Sequence, residues 1–280
     1  MMNLFNFGSK KTLTLSQEIV LALSKYLEEE GFSGRTTEEA YGEIAKHSSL
    51  SYSREVERLT RKSHNSSFYE KLSQKSGDFA VYDYLKSRSH QANRDNVEQA
   101  IIMMELEVQD SILDAGCGTG LEAVFLAGLL KKGKVTGIDS SSGLAERAKE
   151  RAIRRNVQNT EFKQGKLEAI PYSDNTFNGV ICVNTLYEGF SQMYFEEMNK
   201  CLGIRIGQMD RVLKQGGKLF LTIPNQGRNR EIQGNIDFQK TILRTNFEAG
   251  GYSNFKFNNI TRVNKEGREF NHSYICLTKG

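Results

Sequence analysis

The nine residues Ile112-Leu113-Asp114-Ala115-Gly116-Cys117-Gly118-Thr119-Gly120 constrain this chain more than any other stretch. Their apolar start reads as a short buried strand, the alternate glycines as a tight turn, and the pattern that follows as a helix. Glycine permits such a turn and lets a ligand approach main chain that a Cβ would shield. In an open doubly wound sheet a turn of this kind lies at the carboxyl edge of the strands, where ligands bind. Asp139 follows nineteen residues after Gly120, ending Val135-Thr136-Gly137-Ile138-Asp139. A carboxylate there can accept both hydroxyls of a ribose, so the expected ligand contains a nucleoside.

Two common nucleotide motifs are excluded. A dinucleotide fingerprint of the form G-x-G-x-x-G fails at Leu121, and no Gly-Lys-Ser/Thr follows the glycines as a P-loop requires. What remains is Gly-x-Gly-x-Gly preceded by an acidic residue.

From Ser111 onward, short apolar runs alternate with helical segments, the pattern of a parallel α/β sheet. Strands are predicted at 111–115, 134–138, 160–164, 177–183 and 218–223, with a closing antiparallel pair at 255–260 and 272–278 joined by the turn-rich 264–267. Helices are predicted at 119–131, 142–156, 193–201, 204–213 and 235–249. The chain before this differs. Residues 12–105 carry no convincing strand, and Leu15, Ile19, Leu23 and Leu27 recur every four residues as one helical face. The last helix there is expected to open on the polar run Asn93-Arg94-Asp95-Asn96. Residues 1–95 therefore read as a helical cap or dimerisation region, and 96–280 as the ligand-binding core.

The order of motifs in the core resembles the class I S-adenosylmethionine-dependent methyltransferases, most nearly the branch of ubiquinone-type and other small-molecule enzymes. The resemblance covers about residues 95–280 and rests on five stretches: 113–120, 137–144, 164–172, 175–180 and 211–219. It implies an α/β fold with a Rossmann-like, seven-stranded, mostly parallel sheet whose last strand is reversed. It implies S-adenosylmethionine as cofactor, S-adenosylhomocysteine as product, and methyl transfer to oxygen, nitrogen or carbon of a small organic acceptor. By the same likeness Asp114, Gly116, Cys117, Gly118 and Gly120 would form the loop beside the methionine part. Asp139 would hold the ribose, Ser140 and Leu144 would border the adenine, Lys166 and Leu167 would meet its edge, and Asn184 would lie beside the methionyl group. Tyr82 and Tyr84 stand in a segment that covers the cofactor in related enzymes. Members of the family commonly carry aspartate where this chain has Lys166, and lysine cannot accept from the adenine amino group.

A sulfonium methyl is already activated, so alignment supplies most of the chemistry. An acceptor that must lose a proton also calls for a base. The stretch Asn184-Thr185-Leu186-Tyr187-Glu188-Gly189-Phe190 should face the acceptor, which makes Glu188 and Tyr187 candidates, with His272 a third. Cys117 has no histidine near it in sequence and reads as turn packing rather than a nucleophile.

Charge and composition trim the alternatives. The net charge of +4 is mild, and no apolar run is long enough to span a bilayer. Four scattered cysteines and four histidines without ligand spacing predict neither a disulfide framework nor a metal site. The start, Met1-Met2-Asn3-Leu4-Phe5-Asn6-Phe7-Gly8, lacks a secretory pattern, so a cytoplasmic location is expected. Residues 144–166 hold seven basic side chains against three acidic ones. They read as a solvated helix face rather than a nucleic-acid track, since no interleaved aromatics accompany them. Two further readings stay open: a methyltransferase acting on RNA or protein, and a non-catalytic binding protein that keeps the fold.

Overall fold

The structure is a computed structural model that describes residues 90–187, 195–224, 247, 251–263 and 269–280. Among them the order is α1 (His90–Met104), β1 (Ser111–Ala115), α2 (Leu121–Leu129), β2 (Lys134–Asp139), α3 (Ser142–Arg154), β3 (Thr160–Gln164), β4 (Phe177–Val183), α4 (Phe195–Val212), β5 (Leu213–Pro224), β6 (Tyr252–Val263) and β7 (Glu269–Lys279). The expected cap, Tyr82, Tyr84 and Glu188, most of the helix predicted at 235–249, and the turn at 264–267 lie outside the described residues.

Seven strands form one sheet in the order β3-β2-β1-β4-β5-β7-β6. The five strands from β3 to β5 pair in parallel. β7 runs antiparallel to both β5 and β6, so the expected reversed closing pair is present. Strands β1, β2 and β4 are buried along almost their whole length, as a sheet covered on both faces requires. One apolar layer joins Ile112, Val135, Phe162, Ile181, Phe220 and Tyr274 to α1 and α2. The other joins Leu113, Ile138, Val180, Leu219 and Ile275 to α4. The chain winds outward to β3 and then restarts at β4 beside β1. The crevice where ligands bind therefore opens at the carboxyl ends of β1 and β4.

Two expectations are corrected. The helices predicted at 193–201 and 204–213 are one helix, α4, which runs straight through Gly203. Met198, Leu202, Ile206 and Met209 keep one buried stripe across that glycine, and tertiary packing of this kind outweighs the ~1 kcal/mol that glycine costs a helix interior. The last helix before β1 already contains Asn93–Asn96, since α1 runs His90–Met104 among the described residues. Asp95 and Asn96 stand inside it at 7% and 0% exposure. The sequence pattern misled here because polar residues favour helix starts, whereas these two face inward.

Candidate functional site

The glycine turn between β1 and α2 is held by main-chain bonds. The amides of Gly116 and Cys117 both donate to the Ile138 carbonyl, at 2.8 and 2.9 Å, and Gly120 N–H donates to the Cys117 carbonyl at 2.9 Å. Gly116 has φ +89° and Gly120 φ +74°, angles that side chains resist. Space is closed as well. A Cβ on Gly116 would stand 2.3 Å from Thr185 Cγ2, and one on Gly120 2.7 Å from Ala148 Cβ. Thr185 Oγ1 donates to the carbonyls of Gly116, at 3.3 Å, and Val183, at 2.9 Å, joining the turn to the end of β4. Cys117 is 2% exposed and belongs to the apolar core, which is a packing role. Asp114 is buried at the end of β1.

Asp139, the last residue of β2, is equally fixed. Its Oδ2 accepts from Gly118 N–H and its Oδ1 from Ser141 N–H, both at 2.9 Å. The carboxylate thus ties the glycine turn to the start of α3. Ser141 caps α3 by accepting from Leu144 N–H at 3.3 Å. Leu144 is buried, while Ser140 is half-buried with its carbonyl taking the Gln164 side-chain amide at 3.0 Å. Lys166 lies exposed in the turn after β3, its carbonyl accepting from Ala169 N–H at 3.1 Å, and Leu167 is buried beneath it.

Arg151 changes the reading of the basic stretch. It is 2% exposed, and its Nη1 donates to the Thr119 carbonyl and, at 2.6 Å, to Thr119 Oγ1. It is therefore no part of a solvated face: it fixes the glycine turn from below. The signal was present, since Arg151 continues the buried helical spacing of Leu144 and Ala148. The exposed face carries ion pairs, Arg147 with Glu150 and Lys149 with Glu146.

The other side of the crevice begins where β4 ends. Asn184 takes φ +56°, which asparagine tolerates better than most residues. Its N–H donates to Thr222 Oγ1 and its Oδ1 accepts from the same hydroxyl, both at 2.9 Å. Leu186 is fully buried, and its carbonyl accepts from Arg205 Nη1 at 2.7 Å; the same guanidinium pairs with Glu168 at 2.6 Å. Arg205 thereby joins the segments after β3 and β4, an arrangement no motif announced. Tyr187 packs on the core layer of α4. Burial pushes its phenol above the ordinary tyrosine value, so it stays protonated near neutral pH.

His272 lies on β7 opposite Pro224 of β5. This is the carboxyl edge, but two strands from β4, roughly 10 Å at the usual strand spacing. The ring is half-buried and stacks on Tyr274 with centroids 6.4 Å apart.

Asn96 of α1 is a buried polar residue that sequence patterns gave no reason to expect. It is 0% exposed, and neither its Oδ1 nor its Nδ2 meets a hydrogen-bond partner among the described residues. Each such buried group costs ~1–3 kcal/mol, so the amide calls for a ligand or a reason.

Among the described residues no cluster of His, Cys, Asp and Glu is arranged to hold a metal ion. None of their helices is long and apolar enough to cross a membrane. None of the four cysteines forms a disulfide. Burial raises Cys182 to about 12 and Cys276 to about 11, so both behave as small apolar side chains.

A profile of the family described as "Methyltransferase domain" matches residues 106–251, just over half of the chain. A probable methyltransferase of Aspergillus luteorubrus, ltbC, is 33% identical over 138 residues, covering 47% of this chain and 46% of its own. The demethylmenaquinone methyltransferase of Bacillus cereus is 28% identical over 157 residues, 54% of this chain and 58% of its own. The chain thus spans about half the length of these curated relatives. A solved structure of a SAM-dependent methyltransferase from Methanosarcina mazei superposes with a TM-score of 0.51 at 22% identity, over 64% of this chain and 96% of that one. That likeness is one of fold.

Proposed function

This chain belongs to the methyltransferase domain family, and we propose that it moves the methyl group of S-adenosylmethionine to a small organic acceptor. The observation that carries the reading is the grip of Asp139 on Gly118 N–H and Ser141 N–H. It sets a buried carboxylate beside a glycine turn that has no room for a Cβ. The residues fit the cofactor: glycine turn for the methionine part, Asp139 for the ribose hydroxyls, Ser140 and Leu144 for the adenine. Lys166 supplies no acceptor for the adenine amino group, and because its side chain is exposed it does not fill the pocket either. The backbone at Leu167 is left to make that contact.

When bound, the cofactor supplies an activated methyl on a positive sulfur. The chain's own task is to hold the acceptor in line with that methyl and to exclude water, and positioning of this kind can lower a barrier by ~7–11 kcal/mol in favourable cases. Thr185 and Arg151 keep the turn in one shape, and Arg205 does the same for the segment that ends β4. Tyr187, held protonated by burial, can donate a hydrogen bond to the acceptor but cannot take its proton. Glu188, the adjacent residue in the chain, is the proposed base for an acceptor that must lose a proton, and His272 is too far along the edge to be preferred to it.

A small acceptor is favoured over RNA or protein for two reasons. The basic stretch that a nucleic acid could have followed is broken by the buried Arg151 and by ion pairs along α3. The Bacillus cereus relative is named for demethylmenaquinone, a small molecule. The test is to incubate the protein with methyl-labelled S-adenosylmethionine and a cell extract, then separate acid-precipitable from soluble label. Label in a soluble product that chromatography separates from unreacted S-adenosylmethionine is expected. Label confined to precipitable RNA or protein would overturn the choice of acceptor, and no transfer from any extract would favour the non-catalytic reading.

A further inference from the structure

We propose that Arg205 is a positioning residue of this site: with one guanidinium it bonds Glu168 and the Leu186 carbonyl, and so couples the cofactor edge of the crevice to the acceptor edge. The inference rests on the cofactor reading above, in which the backbone at Leu167 meets the adenine, and adds a connection to it.

The connection starts from three polar residues of α4. Arg205, Gln208 and Arg211 recur every three residues, which sets them on one row of the helix surface, beside the buried Met198, Leu202, Ile206 and Met209. That row holds the chain between β3 and β4. Gln208 Oε1 accepts from Ile170 N–H at 3.1 Å. Arg211 donates to the carbonyls of Ile170, at 2.8 Å, and Tyr172, at 2.7 Å, and to the Asp174 carboxylate at 2.8 Å. Among the described residues, Gln208 and Arg211 serve that segment alone. Arg205 serves two. Its Nε and Nη2 both meet Glu168 Oε1, at 2.7 and 2.6 Å, while its Nη1 donates to the Leu186 carbonyl at 2.7 Å. The reason is its place along the helix. α4 ends at Val212, and Leu213 pairs with Phe177 at the start of β4. Arg205, two turns earlier, therefore lies toward the carboxyl edge, where the segments after β3 and β4 come together.

The planar fork of arginine makes the double contact possible. A guanidinium carries five donors in fixed directions, so one side can pair with a carboxylate while another corner serves a carbonyl of a different segment. Bonds that involve charged groups are also the strong ones. The Arg205 side chain is 11% exposed and Leu186 is fully buried, so water competes little for the bond between them. Each end of the tie is one residue from a group that the reading uses: Glu168 follows Leu167, and Leu186 precedes Tyr187. A nucleoside that restrains Leu167 restrains Glu168, and through Arg205 it restrains the segment that faces the acceptor. Such a chain of short bonds is a physical route for coupling two sites.

The experiment follows amide hydrogen exchange by mass spectrometry in peptides covering residues 184–187 of the full chain, with and without 5′-methylthioadenosine. This probe carries the nucleoside but lacks the amino-acid end that the reading places beside Asn184, so it fills the Leu167 side. In wild-type protein it should slow exchange at 184–187 by roughly 5-fold or more, as couplings between sites usually do. Arg205→Met and Glu168→Ala should each bind the probe as tightly as wild type in calorimetry, yet show no such slowing. Glu168→Ala separates coupling from plain support. It leaves the bond to the Leu186 carbonyl in place, so an arginine that merely props up Leu186 would still show the slowing in that variant. It also decides the matter if Arg205→Met does not fold. Slowing that persists in Glu168→Ala, or that is missing from wild-type protein with the probe bound, would overturn the assignment and leave the cofactor reading intact. Wild-type protein that binds neither the probe nor S-adenosylhomocysteine would remove that reading, and this coupling with it.

Discussion

Where β1 and β2 end, the main chain holds the site: Gly116, Cys117 and Gly120 bond through their amides, and Asp139 is gripped by two more. Where β4 and β5 end, side chains do the same work. Asn184 locks onto Thr222, and Arg205 onto the Leu186 carbonyl. The first side suits a cofactor that never changes, because backbone geometry is insensitive to most substitutions. The second side suits an acceptor that differs between enzymes, because side chains can be exchanged without rebuilding the sheet. This contrast also says where mutations should hurt.

The largest effect is expected on the backbone side. Gly116→Ala must both hold φ +89° and fit a Cβ within 2.3 Å of Thr185, which should cost about 3 kcal/mol in urea unfolding. Adding Thr185→Ala should recover part of that loss by opening space but not the part due to φ. Full recovery would show that the turn's conformation is not demanding. A smaller loss, about 2 kcal/mol, is expected for Arg151→Met, which leaves the Thr119 carbonyl and hydroxyl without their charged donor. Cofactor affinity should fall with it, although Arg151 touches only the turn. An unchanged affinity would show that the turn holds its shape unaided.

The smallest effect has the opposite sign. Gly203 on α4 is exposed, and a Cβ there meets nothing within 4 Å. Gly203→Ala should stabilise the protein by roughly 0.5–1 kcal/mol and leave ligand binding alone. Two glycines in one chain would then respond in opposite ways, for reasons visible in their surroundings.

The same contrast explains what the sequence disclosed. The strand at 111–115, its glycines and Asp139 were legible because main-chain constraints leave a pattern in residue type: glycine where φ is positive, acid where amides converge. The predicted strand 177–183 coincides with β4 because a buried strand is marked by an apolar run between polar turns, while 160–164 coincides with the edge strand β3, in which Phe162 alone is buried. The split of α4 at Gly203 was a local signal overruled by a long buried stripe. Arg151 and Asn96 were misplaced for a common reason: polar residue types suggest surface, and only packing reveals that these two face inward. Thr185 and Arg205 act on residues 69 and 37 positions away, Gly116 and Glu168, and such pairings leave no trace in spacing.

The central claim is that the buried carboxylate at the end of β2 is the anchor of a nucleoside cofactor. Calorimetric titration of S-adenosylhomocysteine into wild-type protein and Asp139→Asn tests it most directly, with circular dichroism to establish that both are folded. Asparagine keeps the shape but replaces one accepting oxygen with a donor, so it cannot hold both amides and both ribose hydroxyls. The account predicts binding by the wild type and at least a roughly 30-fold loss in the folded variant. Equal affinity in the two proteins, or no binding by a folded wild type, would contradict it.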